Sequence, residues 1–372
     1  MEPYRPEDLP LHDLDLQGLV GRVGRANAAL ARYDGLVQGL VNPEILLSPL
    51  TTQEAVLSSK IEGTQATLDE VLEHEAGQLQ QGEKAQDVRE IINYRTALAL
   101  AREVVADQPI SLWLLRQVHR VLMDSVRGQD KAPGEFRKDQ NWIGRPGCPI
   151  EEATFVPPNP MVMADYLQAW EAYVQGEDVD VLIQLALVHA QFELIHPFKD
   201  GNGRIGRLLI PLFLYQKRVL SSPSFYLSQY LDAHRDAYYD RLQAISRDGD
   251  WNGWVAFFLD AVISQSGDNG DRVRKMLELY ERMKLRIVEL THSQHALAAL
   301  DTLFHRPIFQ TSDFVARSAI PKQTAFPMLR ALRGAGILIP VREASGRRAA
   351  ILAFPELLNI VEGRPVLPQP QP

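Results

Sequence analysis

Apolar residues recur at three- and four-residue intervals along most of this 372-residue chain, and this spacing constrains the fold more than any other feature. It is typical of helices that bury one face and leave the other in water. Before residue 265 it predicts helices at 16–41, 52–62, 68–76, 84–106, 112–125, 161–173, 179–194, 204–217, 233–246 and 253–264. We therefore expect an all-α protein built around a helical bundle.

The predicted helix 52–62 is bounded by residues that favour helix ends. Thr51 or Thr52 can cap its first turn through a hydroxyl oxygen. Gly63 can adopt the left-handed backbone conformation that ends a helix. The sequence thus predicts a short helix with Glu62 at its C-terminal end.

One segment, 131–160, departs from the helical pattern because it is rich in proline and glycine. Two short extended runs, 141–143 and 154–156, flank a turn-rich tip. This arrangement predicts a small β-hairpin or flap. A plain connecting loop is the alternative.

Residues 268–271 (Asp-Asn-Gly-Asp) predict a boundary, after which a helix over about 272–292 leads into a different pattern. There, helices at 295–304, 311–318 and 321–333 precede a hairpin at 337–353 that turns at Ser345-Gly346. Three helices followed by a hairpin are typical of a winged helix. A proline-rich tail over 362–372 is expected to be disordered.

The winged-helix segment allows two functions. Between residues 291 and 360 it carries eight basic and four acidic residues, a net charge of +4, and Arg347 and Arg348 would lie in its wing. DNA binding is one function consistent with this charge. The alternative is a dimerisation or packing domain, which Pro327 favours because a proline inside the reading helix should kink or break it.

Composition excludes several broad classes. The formal net charge of −8 argues against a chain that coats nucleic acid or anionic membrane with its whole surface. The single cysteine, Cys148, cannot form an internal disulfide. Neither a signal peptide nor a membrane-length apolar run is evident, so we expect a cytoplasmic protein with no membrane contact.

The segment between Leu194 and Arg207 contains the residues most suited to chemistry, in a polar loop between two apolar helices. Gly201 and Gly203 allow successive N–H groups to turn toward one point at the start of the next helix, where the helix dipole favours an anion. Arg204 and Arg207 share one face of that helix and suit phosphate oxygens. The loop therefore predicts a phosphate-binding cup.

Three other residues of the loop complete this interpretation. Asp200 is a hard oxygen ligand suited to Mg²⁺ beside phosphates. His196 can accept the proton of an attacking hydroxyl near neutral pH. Phe198 is expected to point into the core and fix the loop.

This loop resembles the signature of the Fic family, His-x-Phe-x-(Asp/Glu)-Gly-Asn-Gly-Arg-x-x-Arg. Every fixed position is filled, by His196, Phe198, Asp200, Gly201, Asn202, Gly203, Arg204 and Arg207. The resemblance implies a protein adenylyltransferase, which transfers AMP from ATP to a Ser, Thr or Tyr hydroxyl of a target protein. ATP as co-substrate and Mg²⁺ as cofactor are implied with it.

The resemblance also implies a role for each residue. His196 would be the base and Asp200 the Mg²⁺ ligand, while Arg204 and Arg207 would bind the β- and γ-phosphates. The implied nucleotide-binding residues are Gly201, Asn202, Gly203, Arg204, Ile205, Gly206 and Arg207, with Tyr238 or Tyr239 near the adenine. The flap would add a strand to the target segment through Ile150, Thr154, Phe155 and Val156.

An upstream pattern, Ser58-Ser-Lys-Ile-Glu62-Gly63, is similar to the Fic inhibitory motif. A Glu62 carboxylate paired with Arg207 would occupy the guanidinium that orients the γ-phosphate. ATP could then bind only with its triphosphate misplaced for in-line attack. The expected consequence is autoinhibition.

The resulting division is an N-terminal helical region (1–110), a catalytic core (111–267), a linking helix (268–290), a winged-helix-like domain (291–361) and the tail. Two other functions remain open. One is a DNA-binding regulator whose Fic domain senses nucleotide; the other is removal of AMP from a modified protein. The family also implies a homodimer and allows self-modification.

Overall fold

A computed structural model describes residues 2–78, 81–124, 131–145, 147–346 and 348–367 of the chain, which is mostly helical. The helices are α1 Leu16–Gln38, α2 Pro43–Ile61, α3 Leu68–Glu75, α4 Gly82–Val105, α5 Leu112–Leu122, α6 Pro160–Gln175, α7 Val181–Ile195, α8 Asn202–Gln216, α9 Ser228–Ala233, α10 Arg235–Asp248, α11 Trp251–Thr291, α12 Ala296–His305, α13 Thr311–Ser318, α14 Lys322–Gly334 and α15 Pro355–Glu362. The helical pattern read from the sequence is confirmed. The short helices α9 and α15 were not predicted, and residue 125, the expected end of one helix, lies outside the described residues.

Helix α2 begins at Pro43, well before the predicted start at residue 52. The expected cap at Thr51 or Thr52 is therefore wrong. Both hydroxyls instead donate one turn back inside the helix, Thr51 to the carbonyl of Leu47 and Thr52 to that of Ser48. The predicted end is confirmed, because Gly63 has a φ of 103° and its N–H donates to Lys60 O.

Helix α11 is continuous through residues 268–271, where the sequence predicted a break. The interruption of the helix is wrong because the buried face continues, from Val262 to Asn269, Val273 and Met276. Burial of this face outweighs the low helix propensity of Asp-Asn-Gly-Asp. The two compact units of the chain nevertheless divide between Gly267 and Asp268.

The chain forms two compact units. The first holds the residues up to Asp34, Leu57–Thr64 and Ile92–Gly267, and the second holds Gly35–Val56, Gln65–Ile91 and the chain from Asp268 onward. In the first unit, α7 packs against α6, α8 and α10 and is buried along almost its whole length. Asp180 caps α7 by accepting the N–H groups of Leu182 and Ile183 at 2.8 and 3.2 Å.

The second unit contains a three-stranded antiparallel sheet with the order β1-β3-β2, formed by β1 Ile308–Gln310, β2 Ile339–Arg342 and β3 Ile351–Ala353. The register places Ile308 and Ile339 on either side of Ala353. The predicted hairpin is present as β2 and β3, while β1 was missed because three residues are too few to show alternation. Arg347, expected in the wing, lies outside the described residues.

Two expectations for the C-terminal region need correction. Helix α14 runs unbroken through Pro327, which was expected to kink or break it. Its buried residues Ala325, Met328, Leu329 and Leu332 continue on one face across the proline, so packing maintains the helix. Residue 362, the start of the expected disordered tail, ends α15, and residues 368–372 lie outside the described part.

The flap is less regular than predicted. Among its described residues, the two sides meet in one antiparallel bridge between Ile143 and Phe155, and a short 3₁₀ helix, Ile150–Glu152, lies in the tip. The N–H groups of Thr154 and Phe155 both donate to Ile143 O, at 2.8 and 3.1 Å, so two residues oppose one. This bulge and the following Pro157-Pro158 keep the predicted strands 141–143 and 154–156 from forming.

Candidate active site

His196 ends α7 in the left-handed conformation, with φ 50° and ψ 59°. Pro197 disfavours a helical backbone at the preceding residue, and the buried Arg137 Nε donates to His196 O at 2.9 Å. The Nδ1–H of the ring donates to Glu193 O at 3.2 Å, which leaves Nε2 as the unprotonated nitrogen. Burial lowers the pKa of His196 to about 4, so the ring is neutral at pH 7.

Asn202 and His119 fix the loop that follows. The Asn202 side chain accepts the N–H of Phe198 and donates to its carbonyl, both at 2.9 Å. His119 stacks on the buried Phe198 ring with centroids 3.9 Å apart, and its Nε2–H donates to Asp200 O at 3.1 Å. The expected core position of Phe198 is confirmed. Both side-chain ends of Asn202 hold the loop, so its backbone N–H is the group it can offer to a phosphate.

Gly201 precedes α8 in the left-handed conformation, with φ 81°. A Cβ here would lie 3.3 Å from Leu122 and from Met123, so the turn has little room for any other residue. The first N–H groups of a helix have no helical acceptor, and those of α8 face the helix end at which the dipole favours an anion. The buried Arg204 approaches Asp200 Oδ1 at 3.3 Å, and the Asp200 side chain is 44% exposed.

The expected pair between Glu62 and Arg207 is present. Arg207 is buried and donates to Glu62 Oε1 at 2.7 Å, to Ser58 Oγ at 2.9 Å and to Ser58 O at 2.8 Å. Burial opposes the charge on Glu62, but Arg207, and then Arg204 and His196, outweigh burial and lower the pKa of its carboxyl group. Glu62 is therefore ionised at neutral pH.

Glu62 also lies directly against the first turn of α8. A Cβ built on Gly203 would come within 2.2 Å of Glu62 Oε1 and 2.9 Å of Arg207 Nη1. The carboxylate thus lies at the position where the backbone and Arg207 together favour negative charge. The sequence predicted the pair with Arg207 but not this close approach to Gly203.

A buried polar cluster behind Arg207 was missed by the sequence analysis. Glu193 is half-buried beside it, and its Oε1 is buried with no hydrogen-bond partner in the described part of the chain. Burial raises the pKa of this carboxyl group to about 8. A Cβ on Gly206 would approach the Oε1 atom within 2.2 Å. His189 donates from Nδ1 to Gly206 O at 3.1 Å and accepts from Tyr238 Oη at 2.9 Å. The position of Glu193, three residues before His196 and so one helical turn away from it, is the sequence signal that could have indicated this cluster.

The other residues that were predicted to bind the nucleotide differ in how far they are buried. Ile205 is fully buried and its N–H donates to Gly201 O at 3.1 Å, so it presents no polar group to a ligand. Tyr238 is buried against His189. Tyr239 is 41% exposed, and the Arg235 guanidinium lies 5.7 Å from its ring centre. Of the two tyrosines, Tyr239 is therefore the one that the adenine of a nucleotide could contact.

The predicted docking residues lie along the second side of the flap and in its tip. Ile150 belongs to the 3₁₀ helix, Thr154 is exposed and Phe155 is half-buried. Val156 is buried, and its carbonyl accepts the N–H of Tyr4 at 2.8 Å. The chain's own N-terminal residues thus contact this side of the flap.

A metal ion would rely on Asp200. Within the described ranges, no group of three or more His, Cys, Asp or Glu residues could hold an ion. Mg²⁺ commonly uses one or two carboxylates together with substrate phosphates and water, so a single half-exposed carboxylate beside an anion cup fits an ion that arrives with a nucleotide. No helix in the described part of the chain is long and apolar enough to cross a bilayer.

Fold and site together define a helical protein whose polar loop carries the Fic signature and whose Glu62 carboxylate is paired with Arg207. Two family models match, Fic/DOC family N-terminal over residues 20–103 and Fic/DOC family over residues 109–214, together just over half of the sequence. The chain belongs to the Fic/DOC family.

Related proteins agree with this assignment. The chain is 27% identical over 198 residues to a probable protein adenylyltransferase of Aquifex aeolicus, and 31% identical over 159 residues to the protein adenylyltransferase Fic of Culex quinquefasciatus. These matches cover 52% and 41% of this chain, and 57% and 28% of the relatives. The chain therefore matches little more than half the length of one and under a third of the other.

Solved structures share the fold. A Fic family protein from Desulfovibrio desulfuricans aligns with a TM-score of 0.56 at 18% identity, over 95% of this chain and 98% of that one. Fic-1 from C. elegans aligns with a TM-score of 0.53 at 18% identity, over 72% and 75% of the two chains.

Proposed function

We propose that this chain transfers AMP from ATP to a Ser, Thr or Tyr hydroxyl of a target protein. The observation that supports this most is the loop between α7 and α8, where a neutral imidazole stands beside an anion cup. The names of the related proteins from Aquifex and Culex agree with it.

In this mechanism, the Nε2 of His196 accepts the proton of the target hydroxyl, whose oxygen attacks the α-phosphorus of ATP. The new P–O bond forms as the bond to the leaving pyrophosphate breaks. The contacts from Arg137 and Glu193 keep the imidazole in the required tautomer and position. The N–H groups of the cup would stabilise the α-phosphoryl oxygens, and Arg204 and Arg207 would bind the β- and γ-phosphates.

Asp200 is the residue that would hold Mg²⁺, which would neutralise charge on the phosphates. Tyr239 is the proposed adenine contact. The second side of the flap, from Thr154 to Val156, is proposed as the docking edge for the target backbone.

We also propose that Glu62 inhibits this reaction. Its carboxylate lies both on Arg207 and against Gly203, so a phosphate could not occupy the same place without displacing it. Ser58 strengthens the arrangement because it fixes the other side of the guanidinium. This arrangement is consistent with inhibition by misplacement of the triphosphate.

Labelled ATP tests both proposals in cell lysate. Glu62→Gly should label protein acceptors at least tenfold faster than the wild type, and His196→Ala in that background should reduce labelling to the blank. Glu83→Gly, at an exposed glutamate in the first turn of α4, is the matched control and should behave as the wild type. Equal labelling by wild type and Glu62→Gly would refute inhibition, and labelling that persists in His196→Ala would refute the assignment of the base.

For the C-terminal region, we propose a winged-helix domain. The order α12, β1, α13, α14, β2, β3 with antiparallel pairing supports it. On α14, Arg333 is paired with Glu343, which reduces the positive charge available to a phosphate backbone. We therefore favour a packing role for this region over DNA binding.

A further inference from the structure

The first residues of the chain are fixed on the surface of the first compact unit without forming a helix or strand. Glu7 provides two anchors: Trp251 Nε1 donates to its carboxylate and Gln191 Nε2 donates to its carbonyl, both at 2.9 Å. Pro6 is buried beside them. Residues 2–10, here called the N-terminal segment, therefore follow a defined path that leads to the flap.

At the end of this path, Tyr4 pairs with the flap edge. Its N–H donates to Val156 O at 2.8 Å, on a flap segment whose other edge is bonded to Ile143. The Tyr4 ring packs against Phe155, with centroids 5.7 Å apart and planes tilted by 52°. One backbone hydrogen bond and one aromatic contact are the elements with which an extended peptide adds to a strand edge.

The contact at Tyr4 is incomplete in one respect. The Tyr4 hydroxyl oxygen is buried, and among the described residues it has no hydrogen-bond partner. Burying a hydroxyl without a partner costs free energy, so this end of the segment is held less firmly than the two contacts alone would suggest. A target segment with a backbone N–H and an aromatic ring at the same places, but with no unpaired buried polar group, would displace the N-terminal segment.

We propose that the N-terminal segment is a tethered competitor that occupies the edge of the flap on which a target segment docks. This inference rests on the docking role proposed above for Thr154–Val156. The competitor acts on the acceptor side of the reaction, whereas Glu62 acts on the nucleotide side. The target class that fits is an extended segment with an aromatic side chain at the residue opposite Val156.

Because the N-terminal segment is part of the same chain as the flap, its few contacts are enough to exclude a free target segment. A segment joined to its site by a short linker has an effective local concentration on the order of millimolar. A free target segment of modest affinity would therefore be excluded until the tether is displaced. Loss of the tethered contacts should strengthen binding of a free segment by roughly tenfold or more.

A labelled peptide tests this directly, without nucleotide or catalysis. The probe is a fluorescein-labelled peptide of residues 2–10, EPYRPEDLP, and binding is followed by fluorescence anisotropy. The variant is Tyr4→Pro combined with Glu7→Ala, which removes the N–H, the ring and one anchor. Arg5→Ala combined with Asp8→Ala, at two exposed positions of the same segment, is the matched control.

The proposal predicts at least tenfold tighter peptide binding by the Tyr4→Pro, Glu7→Ala chain than by the wild type or the control. A probe that carries the Tyr4→Pro change should not bind. Equal affinity for the variant and the wild type, or equal binding of the two probes, would overturn it. Thermal melting verifies that each variant is folded. The peptide experiment contains no ATP, so a negative result in it would not bear on AMP transfer or on inhibition by Glu62. A negative result in the labelling experiment with Glu62→Gly would likewise not bear on peptide binding.

Discussion

At the scale of single residues, the signature of the loop could be recognised from the sequence because its residues are adjacent in the chain. Which of these side chains hold the loop in place, and which are left to contact a nucleotide, could not be predicted. The sequence assigned Asn202 to the nucleotide, and the structure shows its side chain bonded at both ends to Phe198. The contacts of Arg137 and His119 with the loop were also unpredictable, because both residues lie far from it in the chain.

The environment of Glu193, rather than its residue type, sets the pKa of its carboxyl group. Burial raises the pKa of its carboxyl group from its ordinary value of 4.5 to about 8 in the folded chain. Between these values the unfolded chain loses the proton while the folded chain keeps it, so stability falls as the pH rises from 4.5 to 8.

Glu193→Gln removes this titration. We expect the variant to match the wild type near pH 4.5 and to exceed its unfolding free energy by up to about 3 kcal/mol at pH 7. Urea unfolding at the two pH values measures the difference. A difference that does not change with pH would contradict a neutral, buried carboxyl group at this position.

At the scale of helices, periodicity located most elements but not their limits. Helix α2 starts well before Thr51 and Thr52, whose hydroxyls bond back into it instead of capping it. Helix α11 continues past its Gly-containing stretch because its buried face continues. The flap was expected to be a hairpin, and its described residues form one bridge. Tertiary packing decided each of these outcomes, and a single sequence does not record it.

The packing of α7 on α8 gives a prediction at this scale. A Cβ at residue 206 would approach the buried Glu193 Oε1 within 2.2 Å and His189 Cε1 within 3.4 Å. Gly206→Ala should therefore destabilise the protein by about 1–3 kcal/mol. In the Glu193→Ala background, the same change should cost clearly less, because the clashing oxygen is gone.

Thermal and urea unfolding of the four proteins of this double-mutant cycle measure the coupling between the two positions. Gly267→Ala, at a glycine of α11 where a Cβ meets nothing within 4 Å, is the matched control and should cost little. Purely additive effects of Gly206→Ala and Glu193→Ala would show that the close approach of α7 and α8 does not depend on this glycine.

At the scale of the whole molecule, the sequence predicted successive regions along the chain, whereas the compact units combine distant segments. Residues 35–56 and 65–91 belong with the chain from Asp268, and the short stretch Leu57–Thr64 belongs with the loop-bearing unit. That stretch carries Ser58 and Glu62, so the two residues proposed to inhibit the reaction belong to the same unit as Arg207, which they contact. The division into functional regions remains a prediction.

The first turn of α8 is proposed above as a polyphosphate cup that the Glu62 carboxylate occupies. Isothermal titration calorimetry of ATP with Mg²⁺ into Glu62→Gly tests it most directly, with Glu62→Gly combined with Arg207→Ala as the comparison. We predict binding by the first protein that depends on Mg²⁺, and at least tenfold weaker binding when Arg207 is also removed. Absence of binding to Glu62→Gly, or equal affinity with and without Arg207, would contradict the account.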